Sequence, residues 1–314
     1  MTGNILTLDN FDINSLPSLD VAVLGALELF QQQAVPEIDI SNYKRPLIVG
    51  SGNAEATGRI VFDKIDAVFA SESNFESKLK NIPSIDGVVI ISASGEKHAP
   101  IIAKVARDMG KPVTLITNSA DSTTSREFAG SQSFHEHVFP KNREPYTYNT
   151  STYMGMILGA TKENPAEIEQ FINDTISHLD FPDFAKYDKY FLMVPTEFSG
   201  IIQMLQIKFK ELFGRNIARE VETSESVKHA ATIAKSNELF ISFGEENTIW
   251  GDPENRFFVP MPSNAGYVAM MAIGYFTIAQ IQNTYPHLFK DNIVDYIEEV
   301  SKIFGQQLSP IVDK

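Results

Sequence analysis

The sequence contains no cysteine, which excludes disulfides, thiol nucleophiles and thiolate metal sites. It also has no Lys/Arg-rich block: 26 basic residues stand against 40 acidic ones, and the formal net charge is −14. This charge repels a nucleic-acid backbone and an anionic membrane, so we expect neither as a partner. A small anion is still compatible, because a few backbone N–H groups at a helix N-terminus bind one locally.

Long apolar runs are missing as well. The stretch from Tyr267 to Ile281 is interrupted by Gly274, Thr277 and Gln280, and it falls short of the ~20 apolar residues of a membrane span. The opening stretch MTGNILTLDNFDINSLPSLD has no basic region followed by an apolar run, so we expect no signal peptide there. The simplest expectation is a cytoplasmic protein.

What is present has the composition of a globular protein. The chain has 314 residues, of which 43% are hydrophobic and 21% charged, and this length favours two domains over one. Short runs of Val, Ile and Leu alternate with helix-length amphipathic segments, which predicts parallel βαβ units with strands buried on both faces. The predicted strands are PLIVG, DAVFA, GVVIISA, PVTLITN, HVFP, YFLMVP, NIAREVE, ELFISFG and RFFVPMP.

The pattern divides the chain into four segments. An N-terminal helical extension covers 1–40, and a first α/β domain covers 41–163. A linker helix that begins at Pro165 and a second α/β domain cover 164–285, and a C-terminal helical tail covers 286–314. The predicted fold class is therefore α/β, with two tandem parallel sheets in αβα layers of the Rossmann or flavodoxin type.

Ligands of open parallel sheets bind where strands lead into helices. The first such loop, Gly50 to Ala54, contains G-x-G and offers Gly52 and Asn53 as candidate binding residues. The third glycine of the dinucleotide fingerprint falls on Glu55, and the P-loop ending GK[ST] is absent, so we expect no cofactor.

The second loop lies between GVVII and the helix APIIAKVARDMG. Ser92, Ser94, Gly95 and the helix-start N–H groups are able to surround a phosphate, and Lys97 adds a charged donor. An ordinary Ser/Gly turn with a solvated lysine fits the same residues equally well.

A third hydroxyl cluster, NTST, begins another predicted helix. Ser151 and Thr152 suit a phosphate, although Ser or Thr also serves as an ordinary helix cap. Three donor-bearing loops at one sheet edge favour a phosphate site more than any single loop does.

The order GSGNA, SASGEK, ITN and NTSTY resembles the sugar isomerase (SIS) family, in which G-x-G-x-S, S-x-S-G and A-S-T-K segments surround a sugar phosphate. This resemblance implies tandem SIS domains, with the phosphate held by Ser92, Ser94 and Ser151 and supported by Thr152. The family's usual threonine at the end of the second loop is Lys97 here, and its serine in the first loop is an alanine. Lys97 would therefore replace hydroxyls that this chain lacks.

The second half is similar to the isomerase part of glucosamine-6-phosphate synthase and to phosphoglucose/phosphomannose isomerases. The segment KFKE resembles the synthase's K-x-K-E, which implies that Glu211 moves the proton between C1 and C2. The segment SVKH resembles its E-L-K-H, which implies that His229 opens the sugar ring. The spacing between the two is longer than in the family and requires an insertion. A C-terminal lysine often completes such sites, and Lys302 is the first candidate, before Lys290.

Aldose–ketose interconversion suits these residue types, because one carboxylate serves as base and then acid, and histidine titrates near neutrality. Each residue also has a structural interpretation: Glu211 as a solvated helix residue, His229 as the partner of a nearby carboxylate, Lys302 as a surface lysine. His135 and His137 share a strand face, but no third ligand is evident, so we expect no metal.

We therefore expect a phosphosugar-binding aldose–ketose isomerase that converts a hexose or hexosamine 6-phosphate through an enediol(ate). The resemblance also implies a homodimer in which the histidine often comes from the second subunit. Two alternatives stay open: a deaminase or deglycase of amino-sugar phosphates, and a non-catalytic sugar-phosphate sensor. The sequence has no helix-turn-helix extension of the kind found in SIS transcription regulators.

Overall fold

The computed structural model describes residues 3–39, 41–230 and 235–314. The chain divides into two compact units. One consists of Gln33–Lys141 and Thr152–Lys162 and is called the five-stranded unit after its sheet. The other consists of Met1–Gln32, Asn142–Ser151 and Glu163–Lys314 and is called the four-stranded unit.

The helices are α1 (Gly3–Asn10), α2 (Leu19–Gln32), α3 (Asn53–Val61), α4 (Phe75–Asn81), α5 (His98–Asp108), α6 (Thr123–Phe128), α7 (Thr150–Thr161), α8 (Pro165–Asp174), α9 (Ile202–Phe213), α10 (Ser226–Ala230), α11 (Tyr267–Thr284) and α12 (Ile293–Phe304). The strands are β1 (Pro46–Val49), β2 (Val68–Ala70), β3 (Gly87–Ile91), β4 (Val113–Thr117), β5 (Phe134–Val138), β6 (Glu144–Pro145), β7 (Lys189–Val194), β8 (Ala218–Thr223), β9 (Leu239–Phe243), β10 (Arg256–Val259) and β11 (Ile311–Val312). Single 3-10 turns cover Ile176–His178, Phe184–Lys186, Pro253–Asn255 and Pro286–Leu288, and a longer one covers Thr196–Ile201.

The five-stranded sheet is parallel throughout, in the order β2-β1-β3-β4-β5. Its register pairs Leu47 with Val88 and Val88 with Val113, so alternate side chains of neighbouring strands share one face. That face packs against the alanine-rich side of α5, which includes Ala99 and Ala103. Every residue of β1, β3 and β4 is buried, as expected of strands covered by helices. The predicted α/β class with parallel sheets is confirmed.

The four-stranded sheet is also parallel, in the order β10-β9-β7-β8. Helix α9 follows β7 and packs against both β8 and α11. Its apolar stripe runs from Met204 through Leu205 and Phe209 to Leu212, a spacing typical of a helix with one buried face. Lys208 occupies a position within this stripe, and its side chain is completely buried.

The N-terminus of α11 is closed by an acidic side chain of the same unit. The carboxylate of Glu163 accepts hydrogen bonds from the backbone N–H groups of Gly266, Val268 and Ala269, at 2.9, 2.8 and 3.0 Å. A Cβ on Gly266 would lie 2.5 Å from the Glu163 carboxyl carbon, so this close approach requires glycine. A carboxylate at this position also opposes the positive end of the helix dipole.

Several predicted elements differ from the observed ones in length. The linker helix, which the sequence pattern predicts from Pro165 to His178, ends at Asp174 and is followed by the 3-10 turn Ile176–His178. The pattern also predicts a helix over ESVKHAATIAK; α10 covers Ser226–Ala230 of it, and 231–234 lie outside the described residues. Among the described residues, no helix has the length and apolar character needed to cross a membrane. The predicted domain boundaries remain predictions.

Candidate functional site

Glu211 and Lys208 lie one turn apart on α9 and form an ion pair. The Lys208 ammonium donates to Glu211 Oε2 at 2.8 Å and to the backbone carbonyl oxygens of Thr147 and Tyr148, each at 2.7 Å. An ammonium has three hydrogens, so these acceptors use all of them. The ring centroid of Tyr275 lies 5.2 Å from the same nitrogen, which adds a cation–π interaction. The position of Lys208 is therefore fixed on every side.

The surroundings of Glu211 suit proton transfer. Its side chain retains 20% of its exposure, so one edge faces solvent. Burial raises the pKa of the Glu211 carboxyl, and the charge of Lys208 opposes that rise. Tyr146 and Tyr296 lie close by: burial raises the pKa of each phenol, and the Glu211 charge raises it further. A carboxyl with this pKa and an open edge is a candidate general base.

The turn that receives Lys208 is held by a second buried carboxylate, that of Glu144. It accepts hydrogen bonds from the backbone N–H groups of Thr150 and Ser151 at 2.7 and 2.8 Å, and from Ser151 Oγ at 2.6 Å. Burial raises the pKa of Glu144, while the hydrogen bonds of Ser151 and Thr150 and the charge of Lys208 lower it. Thr147, inside the turn, has φ 77°, a left-handed conformation that a β-branched residue adopts only under constraint.

The structure places the other predicted catalytic residues on exposed helix faces. His229 is exposed on α10, and Lys302 is exposed in the last turn of α12. Lys290 donates to Ser18 Oγ at 3.1 Å. In the described part of the chain, neither His229 nor Lys302 bonds to Glu211. The structure thus brings only Glu211 into a buried polar network, and the roles of the other two residues remain predictions.

In the five-stranded unit, the loop between β3 and α5 folds around its own hydroxyls. Ser92 Oγ accepts from the N–H of Gly95 at 3.1 Å, and Ser94 Oγ accepts from the N–H of Glu96 at 3.3 Å. Each hydroxyl acts as an acceptor in these bonds and keeps its own hydrogen to donate. The loop therefore presents hydroxyl donors next to the start of a helix, an arrangement that suits an anion.

The backbone of this loop depends on residues in the left-handed region. Gly95 has φ 65°, and a Cβ there would lie 2.4 Å from Ser122 Oγ, so only glycine fits. Lys97 has φ 51° and stands at the N-cap of α5, where its side chain is exposed and does not cap the helix. The only charged candidate among the predicted phosphate ligands thus lies at the positive end of a helix.

The first predicted loop leads into α3. Gly52 is the N-cap residue with φ 58°, and Asn53 behind it is 8% exposed. Within the described residues, Asn53 Oδ1 and Thr57 Oγ1 are buried without a hydrogen-bond partner. Buried oxygens without a partner are uncommon in folded proteins, and a ligand hydroxyl satisfies such an acceptor.

In the third predicted cluster, NTST, the hydroxyl of Ser151 is hydrogen-bonded within the protein. Ser151 is completely buried, donates its hydroxyl hydrogen to Glu144 and accepts from the N–H of Asn142 at 2.9 Å. Thr152, the next residue, is 4% exposed. The phosphate-binding role of Ser151 and Thr152 remains a prediction.

This chain is similar to known proteins in structure but not in sequence. No family sequence model and no curated protein sequence matches this chain. Tagatose-6-phosphate ketose/aldose isomerase from Escherichia coli matches with a TM-score of 0.56 at 12% identity, over 89% of this chain and 90% of that one. The C-terminal domain of glucosamine-fructose-6-phosphate aminotransferase from Francisella tularensis matches with a TM-score of 0.57 at 12% identity, over 87% of this chain and 97% of that one.

This chain has the tandem SIS fold. The fold implied by the sequence resemblance is therefore confirmed, whereas 12% identity carries no activity from one protein to the other. Within the SIS fold of this chain, the KFKE motif contains both Lys208 and Glu211 but suggested a role only for Glu211, and Glu144 lies outside every motif. Lys208 was detectable as the one cation in the apolar stripe of α9. Glu144 lies in an irregular segment where no periodicity marks it.

Replacing Lys208 by methionine should destabilise the SIS fold of this chain, because two backbone carbonyls and Glu211 lose their donor. We expect Lys208→Met to lower the free energy of unfolding by about 3 kcal/mol. The measurement is urea unfolding followed by the fluorescence of Trp250, the single tryptophan. Lys210→Met, an exposed position on the same helix, is the matched control and should change stability by less than about 0.5 kcal/mol. Equal stabilities of the two variants would contradict the buried ion pair.

Proposed function

We propose that this chain is a phosphosugar aldose–ketose isomerase acting on a hexose or hexosamine 6-phosphate. The observation that carries the proposal is the Lys208–Glu211 pair: a carboxyl of raised pKa, held at 2.8 Å by a buried ammonium and open to solvent along one edge. The tandem SIS fold, shared with a protein named as a ketose/aldose isomerase, supports the same reaction class.

In the proposed reaction, Glu211 removes the proton from the carbon beside the substrate carbonyl. The electron pair of that C–H bond forms the C1=C2 double bond, the π electrons of the carbonyl move to its oxygen, and this oxygen takes a proton from solvent to give the enediol. Glu211 then returns its proton to the carbon that had carried the carbonyl, while the hydroxyl on the other carbon releases its proton to solvent and becomes the new carbonyl. Lys208 favours the carboxylate before abstraction, and burial favours the carboxylic acid afterwards, so the two effects together bring the pKa toward the working range.

The loops of the five-stranded unit are the proposed phosphate ligands. Ser92, Ser94 and the N–H groups at the start of α5 supply neutral donors, and Lys97 supplies charge. Asn53 Oδ1 is an unpaired acceptor for a sugar hydroxyl. The resemblance assigns ring opening to His229 of a second copy, so we also propose a homodimer.

Glu211→Gln should retain sugar-phosphate binding and lose proton exchange, because the amide has the carboxylate's shape but no basicity. The assay incubates protein with fructose 6-phosphate in heavy water and follows label at C1 and C2 together with formation of aldose phosphates. We expect wild type to exchange and the variant to lose at least ~100-fold in rate. Binding by wild type without label or product would leave a sugar-phosphate sensor, and unchanged exchange by Glu211→Gln would remove Glu211 from its role.

The exchange rate should rise with pH along a limb set by Glu211. Because the folded pKa of this carboxyl is raised, the base is protonated below that value, and the limb should lie above the ordinary ~4.3 of glutamate. Lys208→Met should move the limb to still higher pH, since the charge that opposes the rise is lost. Lys210→Met should leave it in place. A limb at or below the ordinary value in wild type would contradict this assignment.

Lys97→Met should weaken the binding of fructose 6-phosphate by ~10-fold, because an exposed charge-assisted bond to the phosphate is lost. Isothermal titration calorimetry measures the affinity, with inorganic phosphate as a competitor. Lys104→Met is the matched control, since Lys104 is also exposed on α5 but lies two turns further along. If both variants bind as tightly as wild type, the loop between β3 and α5 does not hold the phosphate.

A further inference from the structure

We infer that Glu144 is a positioning residue for the proposed isomerase: its buried carboxylate fixes the turn at 147–151, the turn fixes Lys208, and Lys208 orients Glu211. This inference rests on the proposed role of Glu211. Glu144 itself is 3% exposed and its oxygens are occupied by three donors, so it acts through its neighbours and touches no substrate.

The first link joins Glu144 to the start of α7. Its two oxygens accept from the N–H groups of Thr150 and Ser151 and from the Ser151 hydroxyl. Because Glu144 and Ser151 are buried, loss of one partner leaves a buried donor unsatisfied. The turn before α7 is therefore held by Glu144 at Thr150 and Ser151.

The second link joins the turn to the proposed base. Thr147 and Tyr148, in that turn, supply two of the three acceptors of Lys208, and Glu211 supplies the third. Because all three hydrogens are used, a displacement of the two carbonyls moves the ammonium and, with it, the oxygen of Glu211. Small misplacements of a catalytic group lower rates strongly.

The third link is electrostatic. Burial raises the pKa of both Glu144 and Glu211, and one ammonium, that of Lys208, opposes both rises. The other titratable groups facing these carboxyls are the phenols of Tyr146 and Tyr296 beside Glu211, and that of Tyr148 near Glu144. All three phenols are neutral, because their pKa values are raised. If the Glu144 charge is removed, the Lys208 charge is no longer shared between two carboxylates. The pKa of Glu211 should then fall.

The test compares Glu144→Gln with Glu163→Gln in the heavy-water exchange assay. Both residues are carboxylates that close a helix start through backbone N–H groups, but only Glu144 lies next to Lys208. We expect Glu144→Gln to lower kcat by ~10 to 100-fold with KM within ~2-fold, and to move the acid limb of the rate–pH profile to lower pH. Glu163→Gln should keep the wild-type kcat and limb. Wild-type kcat and limb in Glu144→Gln would overturn the inference.

Glu144→Asp separates position from charge and serves also if the glutamine variant fails to fold. Aspartate keeps the negative charge, but its side chain is one methylene shorter. We therefore expect kcat to fall, while the acid limb of the rate–pH profile stays in place because the charge is retained. An unchanged kcat in a folded Glu144→Asp variant would overturn the inference.

A readout without catalysis distinguishes this inference from the proposed function. A buried, hydrogen-bonded ammonium gives a protected nitrogen-15 lysine signal, assigned to Lys208 by its loss in Lys208→Met. We expect that signal in wild type and Glu163→Gln, and its shift or loss in Glu144→Gln. A wild-type Lys208 signal in Glu144→Gln overturns the inference whatever the activity. Absence of exchange in wild type overturns the proposed function and, with it, the catalytic part of this inference.

Discussion

The burial of the Lys208 ammonium is the constraint on which the site depends. Moving an ammonium out of water costs several kcal/mol, and the cost is offset only when its hydrogens meet well-placed acceptors. Here the acceptors are a carboxylate on the same helix and two carbonyls in a turn 61 and 60 residues earlier in the chain. The ion pair therefore joins α9 to the turn before α7. An aliphatic side chain at this position would fill the space. It would leave the carbonyls of Thr147 and Tyr148 without a donor and Glu211 without an orienting partner.

Four helix N-termini that lie near the predicted binding segments or the buried carboxylates differ in their capping. Those of α7 and α11 are closed by carboxylates of the chain itself, Glu144 and Glu163. Those of α3 and α5 begin at Gly52 and Lys97, neither of which provides a side-chain cap. An exogenous anion competes poorly with a carboxylate that is already in place, which is why the proposed phosphate site uses the start of α5 and not the start of α7. The starts of α3 and α5 both lie in the five-stranded unit, where the sequence motifs also point.

The sequence predicted the parallel sheets because their strands are uninterrupted apolar runs, such as GVVII, whose burial leaves little choice of structure. It predicted Glu211 through a local motif on a regular helix. It did not predict Glu144, because that residue acts through a turn with left-handed residues at Thr147 and Asn149, where neither helical nor strand periodicity applies. Lys208 stands in the apolar stripe of α9, but its burial was not predicted, because a lysine is usually exposed and only tertiary acceptors make its burial favourable.

The proposed phosphate site differs from the one that the SIS resemblance implies. The first-loop serine of the family is absent here, since position 54 is alanine, and the hydroxyl hydrogen of Ser151 is donated inward to Glu144. Ser92 and Ser94 are then the hydroxyl donors that remain in the second loop, and Lys97 stands where the family has a further hydroxyl. A lysine is a point charge on a flexible stem, whereas a hydroxyl is a short directional donor. The proposed phosphate site therefore relies more on charge and on the N–H groups of α5, and less on a closed ring of hydroxyls.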